Sequence, residues 1–179
     1  MRIVSGSLKG RRFSPPSNFK ARPTTDFAKE SLFNIISNHF DFEDIEVLDL
    51  FSGTGSISFE FASRGSRRIV LIENNPHHLR FIRGVISKLS IDYISSVRQD
   101  AFRFLKSTRD KFDIIFADPP YQMEGIERIP LMVASGNLLK NDGWLIVEHS
   151  KGIDLSMHKG YKETRSYGNV HFSIFTPQE

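Results

Sequence analysis

Residues 113–121 read Asp-Ile-Ile-Phe-Ala-Asp-Pro-Pro-Tyr and combine a carboxylate, a rigid turn and an aromatic ring. The apolar run at 114–116 is typical of a buried strand, and the two prolines that follow Asp118 end any ladder of hydrogen bonds. The pattern therefore predicts that Asp118, Pro119 and Tyr121 lie at the carboxyl end of a buried strand. In open α/β sheets this edge is where ligands bind.

These groups suit a planar substrate that carries an exocyclic amino group. The Asp118 side chain and the Pro119 carbonyl can accept its two hydrogens, and Tyr121 can stack on its ring, a contact worth about 1–3 kcal/mol per base. Because an amino group conjugated to a ring is a poor nucleophile, holding both hydrogens would localise its lone pair and aim it at an electrophile. The alternative is purely structural: a strand that ends in a Pro-Pro turn with Tyr121 on the surface.

A glycine-containing turn follows a second predicted strand. Residues 46–51 read as a buried strand, and Ser-Gly-Thr-Gly-Ser at 52–56 leads into a helix. Strand, glycine turn and helix form the nucleotide-binding half of a βαβ unit. A dinucleotide site would place a third glycine where this chain has Ser58, which disfavours a tight pyrophosphate approach. Gly53 and Gly55 still allow a ligand to lie against the backbone.

Two more carboxylates follow the next predicted strands. Glu73 ends the strand 68–73, about twenty residues beyond the glycine turn, where a carboxylate can accept hydrogen bonds from ribose hydroxyls. Glu73 could instead be a carboxylate at the start of the next helix. Asp100 follows the strand 93–98 and could accept from an adenine amino group, or simply cap a helix over 101–106.

Strands and helices alternate until a terminal antiparallel pair, which predicts an α/β, doubly wound domain over residues 26–179. Residues 1–25 are predicted to form an extension that begins with a small hairpin over 1–13. The remaining predicted elements are a helix to about His39 with Thr25 or Asp26 as its N-cap, a helix over 76–89, a helix around 129–139, a strand over 143–148 and a hairpin over 159–165 and 170–175.

The amino-acid composition excludes several classes of site and reaction. The chain has 179 residues, is 39% hydrophobic and has no cysteine. The lack of cysteine excludes a thiolate metal site and methylation of a pyrimidine C5 through a covalent cysteine adduct. The sequence has neither an apolar run of transmembrane length nor a signal-peptide pattern, so a cytoplasmic protein is expected. No metal site is predicted.

Positive charge is concentrated at the N-terminus. The net charge is +3, whereas the first 30 residues carry seven basic side chains against Asp26 and Glu30, a net +5. A basic arm on a nearly neutral domain indicates a polyanionic partner, and we expect Lys9, Arg11 and Arg12 to contact phosphates. The alternative is a solvated N-terminus without a partner.

The motifs Val-Leu-Asp-Leu-Phe-Ser-Gly-Thr-Gly at 47–55 and Asp-Pro-Pro-Tyr at 118–121 resemble those of S-adenosylmethionine-dependent methyltransferases that modify exocyclic or amide nitrogens. Over essentially its whole length, the chain resembles the bacterial 16S rRNA guanine-N2 methyltransferase family of the RsmD type. That closer resemblance is carried by Arg2–Gly6 with Lys9–Arg11, by Arg22–Asp26 with Glu30–Ile35, and by Ser63–Gly65. It implies a Rossmann-like, class I sheet of seven strands with the last antiparallel and a short N-terminal β-hairpin.

The resemblance also implies site residues and partners. S-adenosylmethionine is expected at Asp49, Phe51, Gly53, Gly55, Glu73, Asn74, Asp100 and Ala101, with its ribose on Glu73. A flipped guanine is expected on Asp118, Pro119 and Tyr121, and its N2 would attack the methyl group without a covalent enzyme intermediate. The 16S rRNA, within the small ribosomal subunit, is expected to contact Arg2, Lys9, Arg11, Arg12, Arg22, Thr24 and Thr25. A monomer without metal is expected.

Some positions depart from the pattern of the family. Phe27-Ala28 stands where Arg-Val is usual, Asn74-Asn75 replaces a charged pair, and Gly84 occupies a position where Asn is expected.

Three alternative functions remain open from the sequence. They are an aminomethyltransferase for adenine in DNA or RNA or for protein glutamine, a nicotinamide oxidoreductase, and a non-catalytic RNA-binding ribosome-assembly protein. The short length leaves no room for a DNA-reading region, and Ser58 argues against the oxidoreductase.

Overall fold

The computed structural model describes residues 1–16, 19 and 25–177 of the chain. None of the helices in these ranges is long and apolar enough to cross a membrane. In chain order the helices and strands are α1 (Asp26–Ser37), a short 3₁₀ turn (Phe42–Asp44), β1 (Glu46–Leu50), α2 (Ser56–Ser63), β2 (Arg68–Ile72), α3 (Pro76–Leu89), β3 (Ile94–Val97), α4 (Ala101–Ser107), β4 (Phe112–Ala117), α5 (Arg128–Ser135), β5 (Leu139–His149), β6 (Tyr161–Tyr167) and β7 (Val170–Phe175).

The seven strands form one sheet in the order β3-β2-β1-β4-β5-β7-β6. Neighbours among β1 to β5 are parallel, and β7 runs antiparallel to both β5 and β6. This confirms the predicted doubly wound sheet with an antiparallel last strand. The strand order reverses between β1 and β4, and at such a switch point a crevice opens beyond the carboxyl ends of the strands.

The central strands are apolar because both of their faces are covered by helices. In β4, Ile114 and Phe116 belong to the core shared with α1, α2 and α3. Ile115 and Ala117 point to the opposite core, which α4 and α5 close. The strand therefore lacks polar alternation, and its first fully polar side chain after the buried run is Asp118.

The predicted boundaries hold best where side chains cap the helices. Helix α3 spans the predicted residues, since Pro76 begins it and the Asn75 side chain accepts from the amides of His77 and His78. Thr25, rather than Asp26, caps α1, because its hydroxyl accepts from the Ala28 amide at 3.2 Å.

The boundary between α5 and β5 differs from the prediction. The helix ends at Ser135 instead of near 139, and β5 begins at Leu139 instead of 143. Leu139 pairs with Phe112, and the register then shifts so that Trp144 pairs with Ile114. The polar residues Asn141 and Asp142, which precede the predicted strand, lie within this irregular strand.

Candidate active site

The parallel register brings the ends of four strands to one level. Near the carboxyl edge, β2, β1, β4 and β5 align Ile72, Leu50, Ala117 and Val147. The next residues along these strands are Glu73, Phe51, Asp118 and Glu148. The sheet thus places three carboxylates and an aromatic ring in one row at the switch point, and two of those carboxylates, Glu73 and Asp118, are predicted site residues.

The turn after β1 has an unusual backbone. Phe51 has a φ of 61°, and Gly53 and Gly55 have φ values of 55° and 75°. The left-handed conformation is strained for a bulky residue, by about 1–3 kcal/mol, and such outliers cluster at functional sites. The turn is held by Ser52, whose amide donates to the Ile72 carbonyl at 3.0 Å and whose hydroxyl donates to the Asp49 carbonyl at 2.9 Å.

Glu73 joins the glycine turn to the start of α3. One carboxylate oxygen accepts from the Gly53 amide at 2.8 Å, and the other accepts from the Asn75 amide at 2.7 Å. The His78 Nδ1 lies 3.5 Å from Oε2 of Glu73, the oxygen that accepts from Gly53. Each carboxylate oxygen has a second lone pair, so the same side chain that shapes the helix start can still accept from ribose hydroxyls. The two interpretations of Glu73 are therefore compatible.

Asp49 lies one step inside the edge and is almost fully buried. Burial is the main cause that raises its pKa from 3.8 to about 7, and the negative charge of Glu73 adds to the increase. The Ser58 hydroxyl opposes it by donating to an Asp49 carboxylate oxygen at 2.5 Å. Ser58, which in sequence is only the residue in place of a third glycine, here is the hydrogen-bond partner of this carboxylate.

We expect Asp49→Asn to stabilise the folded protein at pH 8 by clearly more than at pH 5. Because the folded-state pKa is raised, ionisation of Asp49 destabilises the wild-type fold progressively between about pH 4 and pH 7. Each pKa unit corresponds to about 1.4 kcal/mol, so the gain at pH 8 should be a few kcal/mol. Urea unfolding at both pH values measures it. The exposed Asp142→Asn is the control, and an equal gain at both pH values would contradict the buried-charge explanation.

Asp118 is a strongly perturbed carboxylate of the row, and Glu148 lies close enough to affect it. Burial raises the pKa of Asp118 well above its ordinary value, and the neighbouring Glu148 and Asp49 carboxylates raise it further. Glu148 is itself 4% exposed. A cationic ligand would favour the ionised forms of these carboxylates. Glu148 is not among the predicted site residues, although its position at the end of the apolar run 144–147 was the available signal.

A small pocket surrounds the Asp-Pro-Pro-Tyr motif. Its polar lining includes the carboxylates Asp118 and Glu148, followed by His149 and Ser150, and its apolar walls include Met123, Ile126 and Ile153. Tyr121 also lines it and keeps about half of its surface exposed. Apolar walls, a carboxylate and an accessible aromatic ring are what a planar group with an amino substituent requires.

The structure gathers the predicted cofactor residues at the same edge. Asn74 is exposed beside Glu73, and Asp100 and Ala101 follow β3, whose Val97 pairs with Ile72. The Asp100 carboxylate accepts from the Arg103 amide at 2.9 Å and caps α4. The capping interpretation of Asp100 is thereby confirmed, while its contact with adenine stays a prediction.

The predicted RNA-contacting residues divide into three groups. Lys9, Arg11 and Arg12 are exposed. Arg2 pairs with Asp26 at 2.9 Å, and Thr25 caps α1. Arg22 and Thr24 lie outside the residues that the structure describes.

The N-terminal segment, residues 1–13, folds back on itself and packs on α2. The hairpin has a single antiparallel bridge, between Arg2 and Arg12. The amides of Val4 and Ser5 donate to the Glu60 carboxylate at 2.8 and 3.0 Å. The segment therefore has a defined place on the domain.

Two other contacts fix this position. The Ser7 amide donates to the Ser63 carbonyl at 2.7 Å, and the Leu8 amide donates to the Ser63 hydroxyl at 2.9 Å. Gly6 has a φ of 79°, and a Cβ there would lie 1.9 Å from the Ser63 carbonyl oxygen. Only glycine fits so close to the helix. Ser63 and Gly6 both belong to the family motifs, but no local pattern in the sequence predicts that they touch.

Comparison with known proteins places the chain in a family. The family model described as "Conserved hypothetical protein 95" matches residues 1–176. YlbH of Bacillus subtilis is 32% identical over 159 residues, covering 87% of this chain and 85% of that protein. A "Ribosomal RNA small subunit methyltransferase D" of Buchnera aphidicola is 28% identical over 179 residues, covering 98% and 91%. The structure of yhhF from Escherichia coli has a TM-score of 0.85 at 24% identity, over 99% of this chain and 98% of that chain.

The residues at the edge fit S-adenosylmethionine, the methyl donor of this class of enzyme. Glu73 offers lone pairs to a ribose, the glycine turn leaves its backbone accessible, and the carboxylates of Asp49 and Asp118 complement a cation. When bound, the donor supplies an electrophilic methyl group. The chain belongs to the conserved hypothetical protein 95 family, the RsmD-type S-adenosylmethionine-dependent methyltransferases, as its motifs predicted.

Proposed function

We propose that the protein methylates the exocyclic N2 of a guanine in 16S rRNA. The observation that carries the proposal is the register that pairs Ala117 with Leu50, so that Asp118 and the turn of Phe51 and Gly53 follow two neighbouring strands at the same edge. A base held by Asp118, Pro119 and Tyr121 would therefore lie next to the methyl donor. The family membership supports the reaction, and the name of the Buchnera aphidicola relative supports the small-subunit RNA as substrate.

In this proposal the protein positions the amino group and accepts charge. The Asp118 carboxylate and the Pro119 carbonyl each accept one N2 hydrogen, which leaves the nitrogen lone pair directed at the methyl carbon. The donor would supply the methyl carbon: the new nitrogen–carbon bond would form as the carbon–sulfur bond breaks, and the sulfur would keep that electron pair. The methylated nitrogen, now positively charged, is stabilised by Asp118 and Glu148 until it loses its proton to Asp118 or to water.

The base must leave its stack to reach this pocket, at a cost of a few kcal/mol. Stacking on the exposed Tyr121 ring offsets part of that cost. The exposed Lys9, Arg11 and Arg12 supply sequence-independent contacts to phosphates. We propose that the protein acts as a monomer on the small ribosomal subunit in the cytoplasm.

Tyr121→Ala should lower kcat/KM for the RNA roughly 5- to 150-fold, which corresponds to a stacking contact of about 1–3 kcal/mol. Tyr121→Phe keeps the ring and should stay close to the wild type. Steady-state methylation measures the effect, and calorimetric binding of S-adenosylhomocysteine should be the same for all three proteins. A Tyr121→Phe variant as impaired as Tyr121→Ala would exclude stacking as the role of this residue.

The test of the proposed function is nucleoside mass spectrometry. Small ribosomal subunits that lack their native guanine methylation are incubated with the protein and S-adenosylmethionine. New N2-methylguanosine supports the proposal. New N6-methyladenosine would keep the reaction class and overturn the guanine assignment, because Asp-Pro-Pro-Tyr fits either amino group. An absence of any new methylated nucleoside would overturn the RNA substrate.

A further inference from the structure

A cleft of about 530 Å³ lies between the N-terminal segment and α3. Its lining includes Arg12 and Phe13 from the segment, and Arg80, Phe81, Gly84 and Lys88 from the helix. We refer to it as the α3 cleft. We propose that the α3 cleft binds a stretch of the RNA strand next to the target base, with its phosphates on the basic side chains and one base on the Phe81 ring.

The positive charge of the α3 cleft is the first observation that supports RNA binding there. Arg12, Arg80 and Lys88 are exposed, and His77 also lines the cleft. Over the ranges that the structure describes, no carboxylate lines the cleft, and none of the ion pairs involves these three cations. Cations gathered without acids attract a polyanion, and phosphate contacts position a nucleic acid without reading its sequence.

Spacing along the helix is the second observation. Arg80, Gly84 and Lys88 are four residues apart and lie on one ridge of α3. At about 1.5 Å per residue, Arg80 and Lys88 are separated by about 12 Å along the helix axis, which suits two phosphates of one strand that are separated by a third, rather than a single small anion. The ridge begins beside the active site, because α3 starts just after Glu73 and His78 lies 3.5 Å from that carboxylate.

Gly84 is the third observation. Glycine destabilises the interior of a helix relative to alanine, and such a residue usually has a packing or functional reason. Packing is not the reason here, because a Cβ at this position would meet nothing within 4 Å. The absence of a side chain at Gly84 therefore leaves the cleft open between Arg80 and Lys88.

One aromatic ring next to this floor can receive a base. Phe81 is partly exposed and has Phe19 against it edge-on, with 5.5 Å between ring centres. Phe13 is buried and has the Lys88 Nζ 5.7 Å from its ring centre, so it holds the lysine in place rather than receiving a base. A groove that combines cations with aromatic rings is the usual arrangement for single-stranded nucleic acid. The identification of the strand as 16S rRNA rests on the proposed function, whereas the recognition of a single-stranded polynucleotide rests on the cleft alone.

The first test compares two charge-reversed proteins. Arg80→Glu with Lys88→Glu alters the cleft. Lys106→Glu with Lys111→Glu makes the same change in net charge at exposed positions after β3, where α4 covers the opposite face of the sheet. Binding of a 16S rRNA transcript is measured across a salt series. We expect the cleft variant to bind at least tenfold more weakly at 0.1 M salt and to reduce the slope of log affinity against log salt by about 1.4, for two lost phosphate contacts on a single strand.

A cleft variant that matches the control in affinity and slope overturns the proposal, and so does a wild-type protein without measurable RNA binding at low salt. Binding of S-adenosylhomocysteine should be equal in both variants, and a loss of it in the cleft variant would overturn the assignment of these residues to RNA. If the cleft effect appears but the wild type forms no N2-methylguanosine on small subunits, the proposed function fails while the α3 cleft stands.

A second pair of variants tests the space over Gly84. Gly84→Trp fills the cleft and should weaken RNA binding by a similar factor without a change of charge. Gly84→Ala meets no neighbour, so it should raise the melting temperature and keep RNA affinity. Equal RNA affinity in the tryptophan and alanine variants would overturn the use of this space by RNA.

Discussion

Replacement of Asp118 by alanine should reduce methyl transfer by at least about a hundredfold and leave RNA affinity nearly unchanged. The side chain would hold one hydrogen of the target amino group and stabilise the positive charge that develops on the nitrogen, and the loss of one such preorganised group typically lowers kcat by about 10²–10³. Single-turnover methylation with labelled S-adenosylmethionine measures the chemical step, and filter binding measures the affinity for RNA.

The pH dependence of the same reaction separates a catalytic carboxylate from a structural one. Because burial, Glu148 and Asp49 raise the pKa of Asp118, activity should fall with decreasing pH at a higher pH than an ordinary aspartate would give, since the protonated form has lost an acceptor. Glu148→Gln removes one repelling charge and should move this fall to lower pH. An unmoved profile, or a loss of RNA binding in Asp118→Ala as large as the loss of activity, would contradict the assignment.

The parts of the fold that sequence analysis predicted well are those with local signals. A strand buried on both faces reads as a continuous apolar run, so β4 and the position of Asp118 could be predicted from residues 113–121 alone. The helix cap at Asp100 was a local signal of the same kind. Parallel strands bring their carboxyl ends to one edge, so Glu73 and Asp118 were expected at the same site.

Long-range contacts account for what could not be predicted. Ser58 was read against a glycine motif, and only the structure shows its hydroxyl on Asp49. Glu148 gains its importance from its position beside Asp118, which depends on the register between β4 and β5. Glu60 lies 56 residues from its partner Val4, and no local pattern encodes that contact.

A signal for Glu60 was nevertheless present in its own helix. Helix α2 reads Ser-Ile-Ser-Phe-Glu-Phe-Ala-Ser, and seven of its eight residues are buried. A helix that is covered all round has no solvent face for a carboxylate, and a fully buried charge requires partners. Glu60 is therefore expected to hold other parts of the chain together, and its contacts show which parts.

We expect Glu60→Ala to lower the free energy of unfolding by about 3–5 kcal/mol, as for other buried ion pairs from which one partner is removed. The fully buried Glu60 carboxylate accepts from the amides of Val4 and Ser5 and from the Arg64 side chain, with Lys29 4.0 Å away. Alanine would leave both amides without this acceptor, and the Lys29 ammonium, whose pKa burial already lowers, without its nearest buried carboxylate. Urea unfolding measures the change, and the exposed Glu30→Ala on α1 is the control.

The loss should be concentrated in the N-terminal segment, because two of its amides depend on this one side chain. Hydrogen exchange at Val4 and Ser5 should become fast in Glu60→Ala under conditions where the central strands remain protected. Arg12 and Phe13 would then lose their fixed position beside α3, so RNA affinity should fall together with that protection. Continued protection of both amides, or a loss of stability no larger than in Glu30→Ala, would show that the segment is held by its other contacts with Ser63.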